Sequence, residues 1–181
     1  RDWCQVKVMF LDHDGVICLS GQWGSRRSNK AKKRGDLFDR FCPKAINVLN
    51  NILKETDAEI VVTSTWRVHC DLEYMQKLYI ERGIAKAPIG FTKDLENVWD
   101  DNDWFNSYSD SEKLQSAIRS KEIMVWLKEN PSATSWIAID DLPLPRLKNF
   151  FMVNEDEGIK KIGTAKRIIK ILNSQQEAVN N

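Results

Sequence analysis

Three short segments of this 181-residue chain carry the residue types that do chemistry. Leu11-Asp12-His13-Asp14-Gly15-Val16 sets two carboxylates two residues apart. Thr63-Ser64-Thr65-Trp66-Arg67 gathers three hydroxyls and a guanidinium, and Asp140-Asp141 supplies a second acidic pair. If the segments meet, four carboxylates share one corner, where unpaired carboxylates repel and raise one another's pKa. A divalent cation resolves that repulsion, and an all-oxygen donor set suits Mg2+. Taken singly, each Asp is also an ordinary turn former or helix N-cap, so the chemical reading rests on their convergence.

Convergence is what the hydrophobic pattern predicts. Gln5–Asp12 is a short apolar run that ends in polar residues, the pattern of a buried parallel strand. Ala58–Thr63, Ser135–Asp140 and Asn149–Val153 read the same way, and Ile84–Phe91 is a further short candidate. Between them, apolar residues recur at three- and four-residue steps over Phe38–Leu53, Val68–Arg82 and Glu112–Lys128. Gly83 closes the second of these helices, Asn130-Pro131 stops the third, and Gly163–Leu172 forms a last one. Strands alternating with helices predict an α/β fold, a three-layer α/β/α Rossmann-like arrangement with a central parallel sheet. Such sheets bind ligands beyond the carboxyl ends of their strands, where strand order reverses. The three segments sit at three strand ends.

On those residues the chain resembles the haloacid dehalogenase (HAD) superfamily. Asp12-x-Asp14-Gly15-Val16 after a hydrophobic strand is similar to its first motif, a strand ending in Thr63 or Ser64 to its second, and Asp140-Asp141 to its fourth. The resemblance spans about residues 5–155. Thr63–Arg67, Glu122-Ile123 with Trp126-Leu127, and Ile139-Asp140-Asp141 further resemble the small HAD domains of RNA-repair proteins and of some bacterial effector phosphatases. The resemblance implies a Mg2+-dependent phosphatase in which Asp12 is the nucleophile that becomes an aspartyl-phosphate and Asp14 is the general acid and base. It implies metal ligands at Asp12, the Asp14 carbonyl and Asp140 or Asp141. Thr63 would hydrogen-bond the phosphoryl oxygens, with Ser64 and Arg67 as substrate-binding candidates.

The family's third motif is a basic residue before the last catalytic strand. Both Arg119 and Lys121 occupy that stretch, with Lys113 behind them. The subfamily pattern of Arg-Gly before Glu-Ile favours Arg119, although Ser120 departs from the Gly. His13 falls between the two Asp on an alternating strand end, which turns its ring away from them and predicts a structural role. Trp66 is expected in the core.

Family members differ in the cap inserted after the first motif or between the second and third. Here a flap of about residues 19–36 and an irregular insert of about 92–110 are too short for a large cap, so an open site is expected, suited to phosphate on a macromolecule. The flap holds Arg26, Arg27, Lys30, Lys32, Lys33 and Arg34 within nine residues, which would guide a polyanion or an acidic phosphopeptide, or form a solvated loop. Trp99, Trp104, Phe105 and Tyr108 would wall a groove or equally form a folded-back loop; the acidity of that stretch tilts the reading to a phosphoprotein, phosphotyrosine included, over a nucleic-acid end. Two other classes stay open: a HAD-fold binding domain without catalysis, and a flavodoxin-like receiver domain. A receiver would not carry Asp14 two residues after the nucleophile.

Composition agrees with an enzyme domain and excludes little else. With 42% hydrophobic and 29% charged residues and a net charge of +1, one monomeric globular domain over residues 1–181 with a polar tail at 174–181 is expected. Cys4, Cys18, Cys42 and Cys70 form no C-x-x-C pair and read as free thiols of a reducing compartment, the cytoplasm, or the host cytosol if the parent is a secreted effector. There is no run of 18 apolar residues for a membrane span, and the start at Arg1, without a signal-peptide core or a Met, is expected of a piece of a longer protein or of a chain that has lost its leader.

Overall fold

A computed structural model of the chain describes residues 6–22, 41–96 and 108–177. The basic residues of the flap, together with Cys4, Trp99, Trp104 and Phe105, lie outside these.

Five strands form one parallel sheet: β1 (Lys7–Leu11), β2 (Glu59–Val62), β3 (Gly90–Phe91), β4 (Ser135–Asp140) and β5 (Phe150–Met152), in the order β3-β2-β1-β4-β5. Chain order runs outward from β1 to β3, then restarts at β4 on the other side of β1. The reversal falls between β1 and β4, the position at which a parallel sheet opens a crevice beyond its strand ends.

The two faces of β1 feed two apolar clusters, as strand alternation requires. Met9 and Leu11 pack with Ile60, Val62, Ile137 and Ile139 under the helices α1 (Pro43–Thr56), α2 (Leu72–Glu81) and α4 (Thr164–Glu177). Val8 and Phe10 face α3 (Ser111–Glu129) on the other side, with Phe10 edge-on to Trp126 at 5.3 Å and to Trp136 at 6.0 Å. The result is the expected three-layer architecture. All four of these β1 residues are fully buried, and each contributes about 1.5–3 kcal/mol by leaving water.

Several boundaries differ from the sequence expectation for local reasons. Pro43 starts α1 at its first turn, where a missing N–H costs nothing; residues 38–40 lie outside the described set. The helix expected from Val68 splits into a 3-10 turn, Thr65–Val68, and α2. Asp71 causes the break, because its side chain accepts from the Tyr74 N–H at 2.8 Å and caps a new helix start. Of the short candidate Ile84–Phe91, only Gly90–Phe91 is a strand. Cys18, Cys42 and Cys70 are free thiols, and among the described residues no helix is long and apolar enough to cross a membrane.

Candidate active site

The sheet ladder carries past the end of β1: Asp12 N donates to Ile139 O at 3.2 Å and Thr63 N to Leu11 O at 3.0 Å. These bonds place Asp12 between the ends of β2 and β4. The chain then turns sharply, with the N–H groups of Val16, Ile17 and Cys18 all directed at the His13 carbonyl. Gly15 makes the turn at φ +75°, and a Cβ there would overlap the Asp141 carboxylate. Glycine is therefore what admits Asp141 to the corner.

Asp12, Asp140 and Asp141 each bring an oxygen within 4.8 Å of the others. Arg119 reaches the same corner from α3. Its Nη1 lies 3.2 Å from Asp12 Oδ2 and 2.9 Å from Asp140 Oδ2, and all three side chains are at least nine-tenths buried. Burial pushes the Asp12 carboxyl up to about 7, Asp140 adds to the rise, and Arg119 opposes it. Asp141 is pushed up to about 6 by burial and then by Asp12. For Arg119 burial alone would weaken the charge, but Asp12 and Asp140 outweigh it and hold the guanidinium above its ordinary range.

Three carboxylates against one guanidinium leave two negative charges, which a divalent cation would balance. The donors are oxygens only, which fits Mg2+ rather than a soft metal. The residues present thus fit the ion that HAD domains generally use.

Asp14 Oδ2 accepts from the Trp66 indole N–H at 2.9 Å. His13, fully buried, sits in an aromatic socket of Phe41, Trp66 and Tyr79, with Nε2 2.6 Å from the Tyr79 hydroxyl. Burial lowers its pKa to about 3, so the ring is neutral.

The remaining candidates separate. Thr63 is buried directly after β2. The Ser64 hydroxyl accepts from Trp66 N–H and caps the 3-10 turn. Arg67 is drawn into the wall: its guanidinium donates to Thr63 O at 2.6 Å, Ser64 O at 3.0 Å, Thr92 O at 3.1 Å and Glu122 Oε2 at 2.7 Å. Glu122 in turn accepts from Leu95 N–H at 3.0 Å. Lys121 stands two positions beyond Arg119, about 200° around the helix, and Lys113 is exposed in the first turn of α3.

Sequence reasoning had no role for Glu122 or for the Trp66 donor. The signal for Glu122 was an acid three residues after Arg119, on the same helix face.

A cleft of about 760 Å³ opens beside Arg119, between the Thr65–Val68 turn and α3. Asp94, Glu96 and Glu112 are among the residues lining it.

Searches of curated proteins and of solved structures returned no match. A family match covers residues 8–162, which takes in all of the strand-end segments above. Phosphatase-type activity is what that family suggests. The chain belongs to the family described as the HAD domain in Swiss Army Knife RNA repair proteins.

Proposed function

We propose that the domain hydrolyses a phosphomonoester on a macromolecule through an aspartyl-phosphate on Asp12. The observation that supports this reading best is Arg119 Nη1 within 3.2 Å of Asp12 and 2.9 Å of Asp140, beside Asp141, at the switch point of the sheet.

Asp12 attacks phosphorus while Asp14 protonates the leaving oxygen; Asp14 then takes a proton from the water that releases phosphate. Arg119 stabilises charge on the phosphoryl oxygens, and Thr63 with nearby backbone N–H groups hydrogen-bonds them. Mg2+ held by Asp12, the Asp14 carbonyl, Asp140 and Asp141 would neutralise charge between nucleophile and phosphate. Arg67 braces the wall instead of binding phosphate, since four of its hydrogen bonds end on the protein.

For the substrate, the family description supports the phosphorylated end of a nucleic acid. A phosphoprotein is the second reading, favoured by the carboxylates of Asp94, Glu96 and Glu112 along the cleft, which would repel a polyanionic chain. Phosphate release from a terminally phosphorylated oligonucleotide and from a phosphotyrosine peptide, with Mg2+ or EDTA, separates the two. Turnover that needs Mg2+ and is lost in Asp12→Asn is expected. A folded, Mg2+-loaded domain that turns over neither substrate nor an aryl phosphate would be a binding domain.

A further inference from the structure

We propose that Trp66 is the positioning residue that sets the acid–base carboxyl of Asp14. This rests on the phosphatase reading above and adds a residue to it. The Trp66 indole N–H donates to Asp14 Oδ2 at 2.9 Å across 52 residues of sequence, joining the end of β2 to the turn after β1.

The indole is fixed from every side. It is only 4% exposed. His13 meets it edge to face at 4.6 Å and Phe41 at 5.6 Å, and His13 is itself held by the Tyr79 hydroxyl at 2.6 Å. Behind it, Ser64 Oγ accepts the Trp66 backbone N–H at 3.3 Å, and the Trp66 carbonyl accepts from His69 N–H at 3.0 Å. Two packed rings, with Tyr79 behind one of them, and a capped turn hold the indole with its N–H on Asp14. Core packing alone accounts for the ring but not for the aim of its single polar atom at a carboxylate.

Indole N–H is a donor only, so Trp66 neither gives nor takes the proton that moves. By holding Oδ2, the indole fixes the rotation of the Asp14 carboxyl and so the direction in which it meets the leaving oxygen. In the first half-reaction an Asp12 oxygen bonds to phosphorus while the bond from phosphorus to the leaving oxygen breaks. The electron pair stays on that oxygen, which takes the proton of the Asp14 carboxyl, and Asp14 is left as a carboxylate already hydrogen-bonded at Oδ2. In the second, water bonds to phosphorus and gives a proton to Asp14, and the bond from phosphorus to Asp12 breaks to restore the carboxylate.

The experiment compares kcat/KM for phenyl phosphate and 4-nitrophenyl phosphate, both with Mg2+. The two differ little in size, but the phenyl leaving oxygen is far more basic and depends more on protonation. The proteins are the parent chain, Trp66→Phe, Asp14→Asn, and a chain with benzothienylalanine at position 66, which keeps the ring shape and removes the N–H. If Trp66→Phe fails to fold, the benzothienylalanine chain carries the comparison.

Loss of the N–H is expected to lower kcat/KM for phenyl phosphate by about tenfold or more and for 4-nitrophenyl phosphate by less than about threefold, with Asp14→Asn showing the same asymmetry more strongly. Equal losses on both substrates, or none on either, overturn the proposal and leave the phosphatase reading intact. A parent chain that turns over neither substrate overturns the phosphatase reading and the proposal with it.

Discussion

A single nitrogen, Nη1 of Arg119, lies 3.2 Å from Asp12 Oδ2 and 2.9 Å from Asp140 Oδ2, so one guanidinium bridges the ends of β1 and β4. Removing it should cost both transition-state stabilisation and the balance of two buried carboxylates. Arg119→Ala is expected to lower kcat/KM by about 10²–10³-fold, and Arg119→Lys by less. Lys121→Ala should stay within about threefold of the parent, because it lies around the helix from the corner. Steady-state kinetics on one aryl phosphate decides this; a larger loss at Lys121 than at Arg119 would reverse the assignment.

The Arg67–Glu122 pair, 2.7 Å apart with side chains 6% and 3% exposed, ties β2, the segment after β3 and α3 together. Burial raises the Glu122 pKa even against Arg67, so desolvation outweighs the ion pair there. Glu122→Ala leaves a buried charge unpaired and should destabilise by about 3–5 kcal/mol. The double variant Arg67→Met with Glu122→Leu should recover most of that. Urea unfolding of the three proteins reads both results, and a single-variant cost below about 1 kcal/mol would mean the wall does not depend on the pair.

His13 predicts an acid limb in stability. Its pKa falls from 6.5 to about 3 on burial, so between those values the unfolded chain holds a proton that the folded one does not. Its contribution is complete above pH 6.5 and declines as pH falls toward 3, by about 1.4 kcal/mol per pH unit. Urea midpoints across that range should show the decline, and His13→Gln should reduce its slope by one proton. An unchanged slope would show that the limb comes from other groups.

Asp141 should separate metal binding from folding. Its carboxyl is pushed up to about 6, so near pH 8 its ionised form strains the metal-free fold. Asp141→Asn is therefore expected to raise the thermal midpoint in EDTA, while the Mg2+ needed for half-maximal activity rises about tenfold or more. Asp140→Asn should lower the midpoint instead, since Asp140 is the carboxylate that Arg119 clasps.

The strands and the corner they build were legible because the buried parallel strands are continuous apolar runs and their ends switch abruptly to Asp or Thr. Four strands lie where the apolar runs put them, Ser135–Asp140 to the residue, while the candidate over Ile84–Phe91 shortens to Gly90–Phe91. The break at Asp71 was hidden because apolar periodicity continues through it while the cap acts on three residues only. The preference for Arg119 over Lys121 came only from the Arg-before-Glu-Ile pattern, because two basic residues two apart have the same chemistry in sequence and opposite faces on a helix. Arg67 is a substrate-binding candidate by its place after the second motif, and the partners it has in the fold, Thr92 and Glu122, come from distant segments that spacing does not reveal.

Phosphate on Asp12 would be direct evidence of the proposed intermediate. The Asp14→Asn chain, which should form the intermediate and hydrolyse it slowly, is mixed with an aryl phosphate and Mg2+, quenched in acid, digested and analysed by mass spectrometry. The account predicts a hydroxylamine-labile phosphoryl group on the peptide containing Asp12, absent with EDTA and absent when Asp12→Asn is added. Phosphate released by a parent chain that never carries label on Asp12 would contradict it.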